Sequence, residues 1–136
     1  MSTTNYHQTF ISVAEDCRAV AGEVPPRKDG PPTVASLQHE LLSAAPYTMT
    51  SDDLLFEVFA RRNAVPDAER AEARATFFSR SQACLRASPL AKTYGWGIHH
   101  DADGRVAIYA MESPEYRALQ VDAAVKQLRA VRSRRA

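Results

Sequence analysis

Cysteine is scarce in this chain, and so are tryptophan, glycine and net charge. Two cysteines, Cys17 and Cys84, stand far apart among 136 residues, with no CxxC spacing. A disulfide-framed scaffold is therefore not expected, and both thiols are read as free in a reducing cytoplasm. The 17 basic and 16 acidic residues leave a formal charge of +1. No overall positive field draws nucleic acid to such a surface. No run approaches the ~18 consecutive apolar residues of a membrane helix. Met1 to Thr9 is polar and has no apolar segment of the kind a secretory signal carries. Glycine-rich phosphate loops and serine-hydrolase elbows are missing as well. No residue pattern names a cofactor.

What is present is ordinary globular material. Hydrophobic residues make up 45% and charged residues 24%, enough apolar surface to offset chain entropy. A chain of this length suits one domain, residues 1–136, and not two comfortable cores. His7 to Ala14, with Thr9, Phe10, Ile11 and Val13, reads as a short strand. Residues 15–32 hold four of the eight prolines with Gly22 and Gly30, and read as a long loop. Thr33 can cap a helix to about Ala45, with Val34, Leu37, Leu41 and Ala44 in one stripe and Gln38 and Glu40 away from it.

Leu54 to Arg62 fits two templates. As a helix it would start well at Thr50 to Asp53. As a strand, Leu54, Phe56 and Val58 share a face, and the aromatic and Val content favours this second reading. Pro66 to Arg80 reads as a helix with Ala71, Ala75 and Phe78 on one face. Tyr94–His100 and Arg105–Met111 flank Asp101-Ala102-Asp103-Gly104, the clearest hairpin in the chain. Ser113-Pro114-Glu115 starts a further helix, and Gln120 to Arg132 is expected to continue helically with Val121, Val125 and Leu128 inward. The order is then β-α-β-α-β-β-α-α: an α+β fold with helices on one face of a small, mostly antiparallel sheet.

The segments Thr9-Phe10-Ile11, Val13-Ala14-Glu15-Asp16-Cys17 and Gly22-Glu23-Val24-Pro25-Pro26 resemble a bacterial family, domain-of-unknown-function family 6157. The likeness continues through Thr50-Ser51-Asp52-Asp53. It is strongest at Cys84-Leu85-Arg86-Ala87-Ser88-Pro89-Leu90 and Tyr94-Gly95-Trp96-Gly97-Ile98-His99, and spans nearly the whole chain. It implies a soluble bacterial domain and transfers no catalytic residue.

The densest chemistry lies between Cys84 and His100. Pro89 forces Ser88 into an extended conformation. Gly95 and Gly97 alternate with Tyr94, Trp96 and Ile98, so one strand face is bare and also carries His99. A backbone, a ring or a ligand must come close there. Three readings follow. Cys84 could act as a nucleophile or redox thiol with His99 as its base, or be a structural cysteine beside a hairpin histidine. Arg86, Ser88, Lys92, Tyr94, Trp96 and His99 could bind a small anionic ligand, with arginine gripping a carboxylate or phosphate and Trp96 stacking on a ring. The plain counterpart is Arg86 paired with an acid such as Asp16 and Trp96 in the core. Cys17, Cys84, His99 and an acid lack the usual metal-ligand spacing, so no metal site is expected.

The basic tail at about 129–136, with Arg129, Arg132, Arg134 and Arg135, could touch phosphates. It equally suits a solvated helix end, and no aromatic residue is interleaved there for base stacking. Asp52 and Asp53 suit acid–base work or a helix start. The leading expectation is a small-molecule-binding or regulatory domain that prefers anions. A Cys/His-dependent enzyme and a protein-interaction module are the alternatives.

Overall fold

Strands β1 (Thr9–Ser12), β2 (Trp96–His100), β3 (Val106–Ala110) and β4 (Lys126–Arg129) form one sheet in the order β3-β2-β1-β4. The computed structural model describes residues 3–27 and 29–133. β1 pairs antiparallel with β2 and β2 with β3, while β4 runs parallel to β1. The hairpin closes as its turn residues require. Gly104 takes φ +81°, and Asp101 accepts the Asp103 and Arg105 N–H groups at 2.9 and 2.8 Å. Among the described residues, five α-helices complete the fold: α1 (Val34–Ala44), α2 (Ser51–Arg62), α3 (Arg70–Phe78), α4 (Pro89–Lys92) and α5 (Pro114–Gln120). The class is α+β, as expected.

Alternation along the strands divides the sheet into two faces. Ile11, Ile98 and Val106 share one face with Leu37 of α1, Leu54 and Val58 of α2, and Ala91 of α4, which together make the main core. Phe10 points the other way, against Tyr116 of α5 and Val125. The helices are therefore not all on one face, because α5 covers the second.

Leu54–Arg62 is helical, contrary to the strand expected for it. Thr50 and Asp53 form a reciprocal capping box at 3.2 Å in each direction. Asp52 and Asp53 lie in the first turn, Arg61 and Arg62 in the last, each matched to the helix dipole. The strand-like alternation has a tertiary origin. Leu54 and Val58, one turn apart, enter the main core, while Phe56 and Ala60, also one turn apart, enter a separate aromatic cluster with Phe78. A helix buried on two sides shows every second residue buried. Removing the cap through Thr50→Ala should cost about 1 kcal/mol, read as a lower urea midpoint at unchanged slope.

The second correction concerns Gln120 to Arg132. α5 stops at Gln120, and Val121, expected inward, is 83% exposed. A turn follows in which Asp122 accepts the Ala124 N–H at 2.9 Å. The chain then becomes β4, beginning with Lys126 N–H to the Gln8 carbonyl at 2.8 Å. β1 would otherwise present an open edge, and pairing it outweighs the helix propensity of Ala123 and Ala124. Val125 and Leu128 do go inward. Arg129 and Arg132 therefore do not end a helix; both pair with Glu15, at 3.4 and 3.7 Å. Arg134 and Arg135 lie outside the described residues.

The 66–80 segment is a 3-10 turn at Asp67–Glu69 followed by α3. Its inward side is Ala73, Phe77 and Phe78, whereas Ala71 and Ala75 are exposed. No helix of the described residues is long and apolar enough to cross a membrane.

Candidate functional site

Cys84 opens a 3-10 turn, Leu85–Ala87, on the main-core side of the sheet. Its Sγ is 3.1 Å from the Tyr6 hydroxyl. Burial, then the thiol beside it, pushes the Tyr6 phenol up to about 12. The Tyr6 ring meets His100 edge-on, at 5.3 Å between centroids. His100 is 0% exposed, and neither ring nitrogen has a hydrogen-bond partner of good geometry. Burial, with the neighbouring His99, pulls its pKa down to about 4; the carbonyls of Thr9 and Ile98 favour the charged ring, but too weakly to reverse this. The thiol's imidazole neighbourhood is thus His100 through Tyr6. His99, the base considered for Cys84, is the next strand residue and points to the opposite face.

The six ligand-binding candidates do not converge on one pocket. Arg86 donates from Nε to the Arg129 carbonyl at 2.8 Å, tying the 85–87 turn to β4. Ser88 is buried, and its hydroxyl donates to Gln38 Oε1 at 2.6 Å while accepting the Leu90 N–H at 3.2 Å to cap α4. Tyr94 is half-buried, with its carbonyl accepting the Glu23 N–H at 2.8 Å. Trp96 Nε1 donates to the Glu23 carbonyl at 2.8 Å, and the indole meets His39 edge-on at 5.1 Å. Burial holds His39 below the usual imidazole range. These bonds fasten the proline-rich loop to the start of β2. Trp96 and His99 lie on opposite faces, and Lys92 stands apart at the end of α4.

The bare glycine face is filled from within the protein. A Cβ at position 97 would meet the rings of Phe10 and Tyr116, and one at Gly95 would meet the Ala21 backbone. The close approach read from the glycine alternation is made by two rings and a loop backbone.

His99 takes part in a second constellation. Its Nδ1 is 2.8 Å from the Tyr47 hydroxyl, which is also 2.8 Å from the Tyr109 hydroxyl. Tyr109 sits on β3 opposite Gly97 and so on the face of His99. Tyr47 arrives from the α1–α2 connection, which runs along the outer edge of β3. Its N–H donates to the Val106 carbonyl at 2.9 Å, and its backbone is left-handed at φ +58°. Burial first, then Tyr109, pushes the Tyr47 phenol well above its ordinary value, and burial lowers the pKa of His99. Neither tyrosine has a spacing to His99 that the sequence could reveal. Tyr109 becomes legible only through the hairpin register, and Tyr47 only through the fold. Gln38, expected on the side of α1 away from the apolar stripe, is instead buried, because Ser88 from the start of α4 packs on it and donates to its Oε1.

Concavities mark the surface of the described residues. One of about 580 Å³ is lined by Asp16, Arg18, Lys92, Thr93 and Ser133. One of about 830 Å³ runs beside α2 and α3 past Phe59, Val65 and Phe77. One of about 430 Å³ lies between the proline-rich loop and α1 near His39. Among the described residues, no group of three His, Cys, Asp or Glu side chains could hold a metal ion.

The fold and these features define a small α+β protein with a cleft lined by Arg18, Lys92 and Asp16 and a half-buried Tyr47–Tyr109–His99 network. The chain belongs to the family of unknown function DUF6157, whose family model matches residues 1–136, so the resemblance read from the sequence holds over the whole chain. No curated protein and no solved structure matches it.

Proposed function

We propose that this protein is a small-molecule-binding or regulatory domain that takes an anionic ligand, a carboxylate or phosphate, in the cleft beside Lys92. One observation carries the reading. Arg18 and Lys92 both line the 580 Å³ cleft, and neither has an ion-pair partner among the described residues. Arg18 is exposed and Lys92 half-buried, and cations without an ion-pair partner can take an anion through charge-assisted hydrogen bonds. Thr93 and Ser133 supply hydroxyls at the same walls. Asp16 also lines the cleft, and its two carboxylate oxygens accept the Ser133 N–H at 3.2 and 3.0 Å. Of the six residues read from the sequence, Lys92 belongs to this reading directly. Arg86 contributes by holding the strand that leads to Ser133. A bacterial cytoplasm fits it, since both cysteines are free.

The test is a thermal-shift screen of carboxylates and phosphates on the full chain. A ligand at a hundred times its Kd should stabilise the protein by about 2.7 kcal/mol. Arg18→Ala and Lys92→Ala should each weaken that ligand about tenfold, roughly 1.4 kcal/mol. Hits that bind both variants as tightly as wild type would count against the cleft. A screen with no stabilising anion would shift the balance to an interaction module using the aromatic groove at Phe59 and Phe77.

A further inference from the structure

We propose that Tyr47, Tyr109 and His99 form a binding site for a ferric ion, independent of the anion cleft. Three donor atoms of the right kinds meet on one sheet face. The Tyr47 oxygen is 2.8 Å from both His99 Nδ1 and the Tyr109 oxygen. Two ligands at about 2.0 Å from one ion in octahedral geometry are themselves about 2.8 Å apart. The heavy-atom spacing of the hydrogen bonds in the free protein therefore matches that of adjacent ligands on one ion, and loading turns the His99 lone pair and the two phenol oxygens from one another toward the ion. All three side chains are half-buried.

The backbone supports a built site. Tyr47 holds a left-handed conformation, φ +58°, uncommon for a bulky residue. Its N–H bond to Val106 fixes it at the β3 edge, within reach of His99. Ala107, the β3 residue paired with His99, offers only a methyl on that face.

The surroundings favour a cation. Asp101 acts electrostatically on both His99 and Tyr47, and Asp122 acts on His99. Neither carboxylate has an ion-pair partner among the described residues. The choice of ion follows from the phenols. Binding breaks two phenol O–H bonds, forms two oxygen–iron bonds and releases both protons to solvent, while His99 binds through a neutral nitrogen. Burial and Tyr109 hold the Tyr47 proton more tightly than in a free phenol, so displacing it near neutral pH calls for a small cation of high charge, and ferric iron is both hard and strongly acidifying.

The experiment adds ferric iron as its nitrilotriacetate complex to the full-length protein and follows visible absorption. Phenolate bound to ferric iron gives a charge-transfer band that the nitrilotriacetate complex lacks. Wild type should develop that band at one iron per chain. Tyr47→Phe and Tyr109→Phe should each weaken the apparent affinity at least tenfold, with unchanged far-ultraviolet circular dichroism. Tyr94→Phe, which removes a phenol outside the network, should bind like wild type. Absence of the band in wild type overturns the proposal. So does a band of equal affinity in the Tyr47 and Tyr109 variants, which would mean adventitious iron only. Should Tyr47→Phe fail to fold, Tyr109→Phe and His99→Gln decide the matter by the same measure.

Discussion

Acidification from pH 7 to pH 4 should remove about 3 kcal/mol of stability through one side chain, His100. The imidazole is fully buried without a well-formed hydrogen bond, and its pKa falls from 6.5 to about 4. The folded pKa lies below the unfolded one, so below pH 6.5 the unfolded chain binds the proton first. The contribution is therefore intact above pH 6.5 and drains away as pH falls to 4. His99 and His39, also lowered by burial, act in the same direction. Urea denaturation at intervals of one pH unit should show the loss. His100→Leu, which removes the proton site and an unsatisfied polar group at similar volume, should flatten most of it. Wild-type and variant curves of equal slope between pH 6.5 and 4.5 would contradict the assignment.

The second large effect is expected at Gly97. In Gly97→Ala the new methyl carbon would lie 2.6 Å from the Tyr116 ring, with Phe10 equally in the way. Both rings are buried and packed edge-to-face at 5.0 Å, and the Tyr116 hydroxyl accepts the Val13 N–H at 3.0 Å. Relief requires α5 to shift away from the sheet and that hydrogen bond to stretch. Overpacking and the weakened bond together should cost about 3 kcal/mol, or about 10 °C in Tm for a chain of this size. A variant melting within about 2 °C of wild type would show that the α5 contact is more pliant than its packing implies.

Local signals were readable where the chain interacts with itself over a few residues. Thr33 and Ser113 were recognisable as caps, the Asp101–Gly104 turn defined its hairpin, and the glycine alternation announced a close approach. The same signals were insufficient where burial came from two directions. The 54–60 alternation looked like a strand because two cores flank one helix. Ala123 and Ala124 looked helical, yet the chain there had to close the open edge of β1.

The candidate sites divide in the same way. The sequence pointed to the Cys84–His100 stretch and to Lys92 as a cation there. It could not say that adjacent His99 and His100 serve different faces, one joined to two phenols and the other sealed beside Tyr6. By itself the sequence determined the α+β class, the caps, the hairpin and the family, since these depend on near neighbours or on the chain as a whole. Only the tertiary structure decided which side chains meet. Tyr6 with Cys84 and Tyr47 with His99 lie 78 and 52 positions apart. Contacts at such separations are set by sheet register and helix packing, which no local spacing encodes.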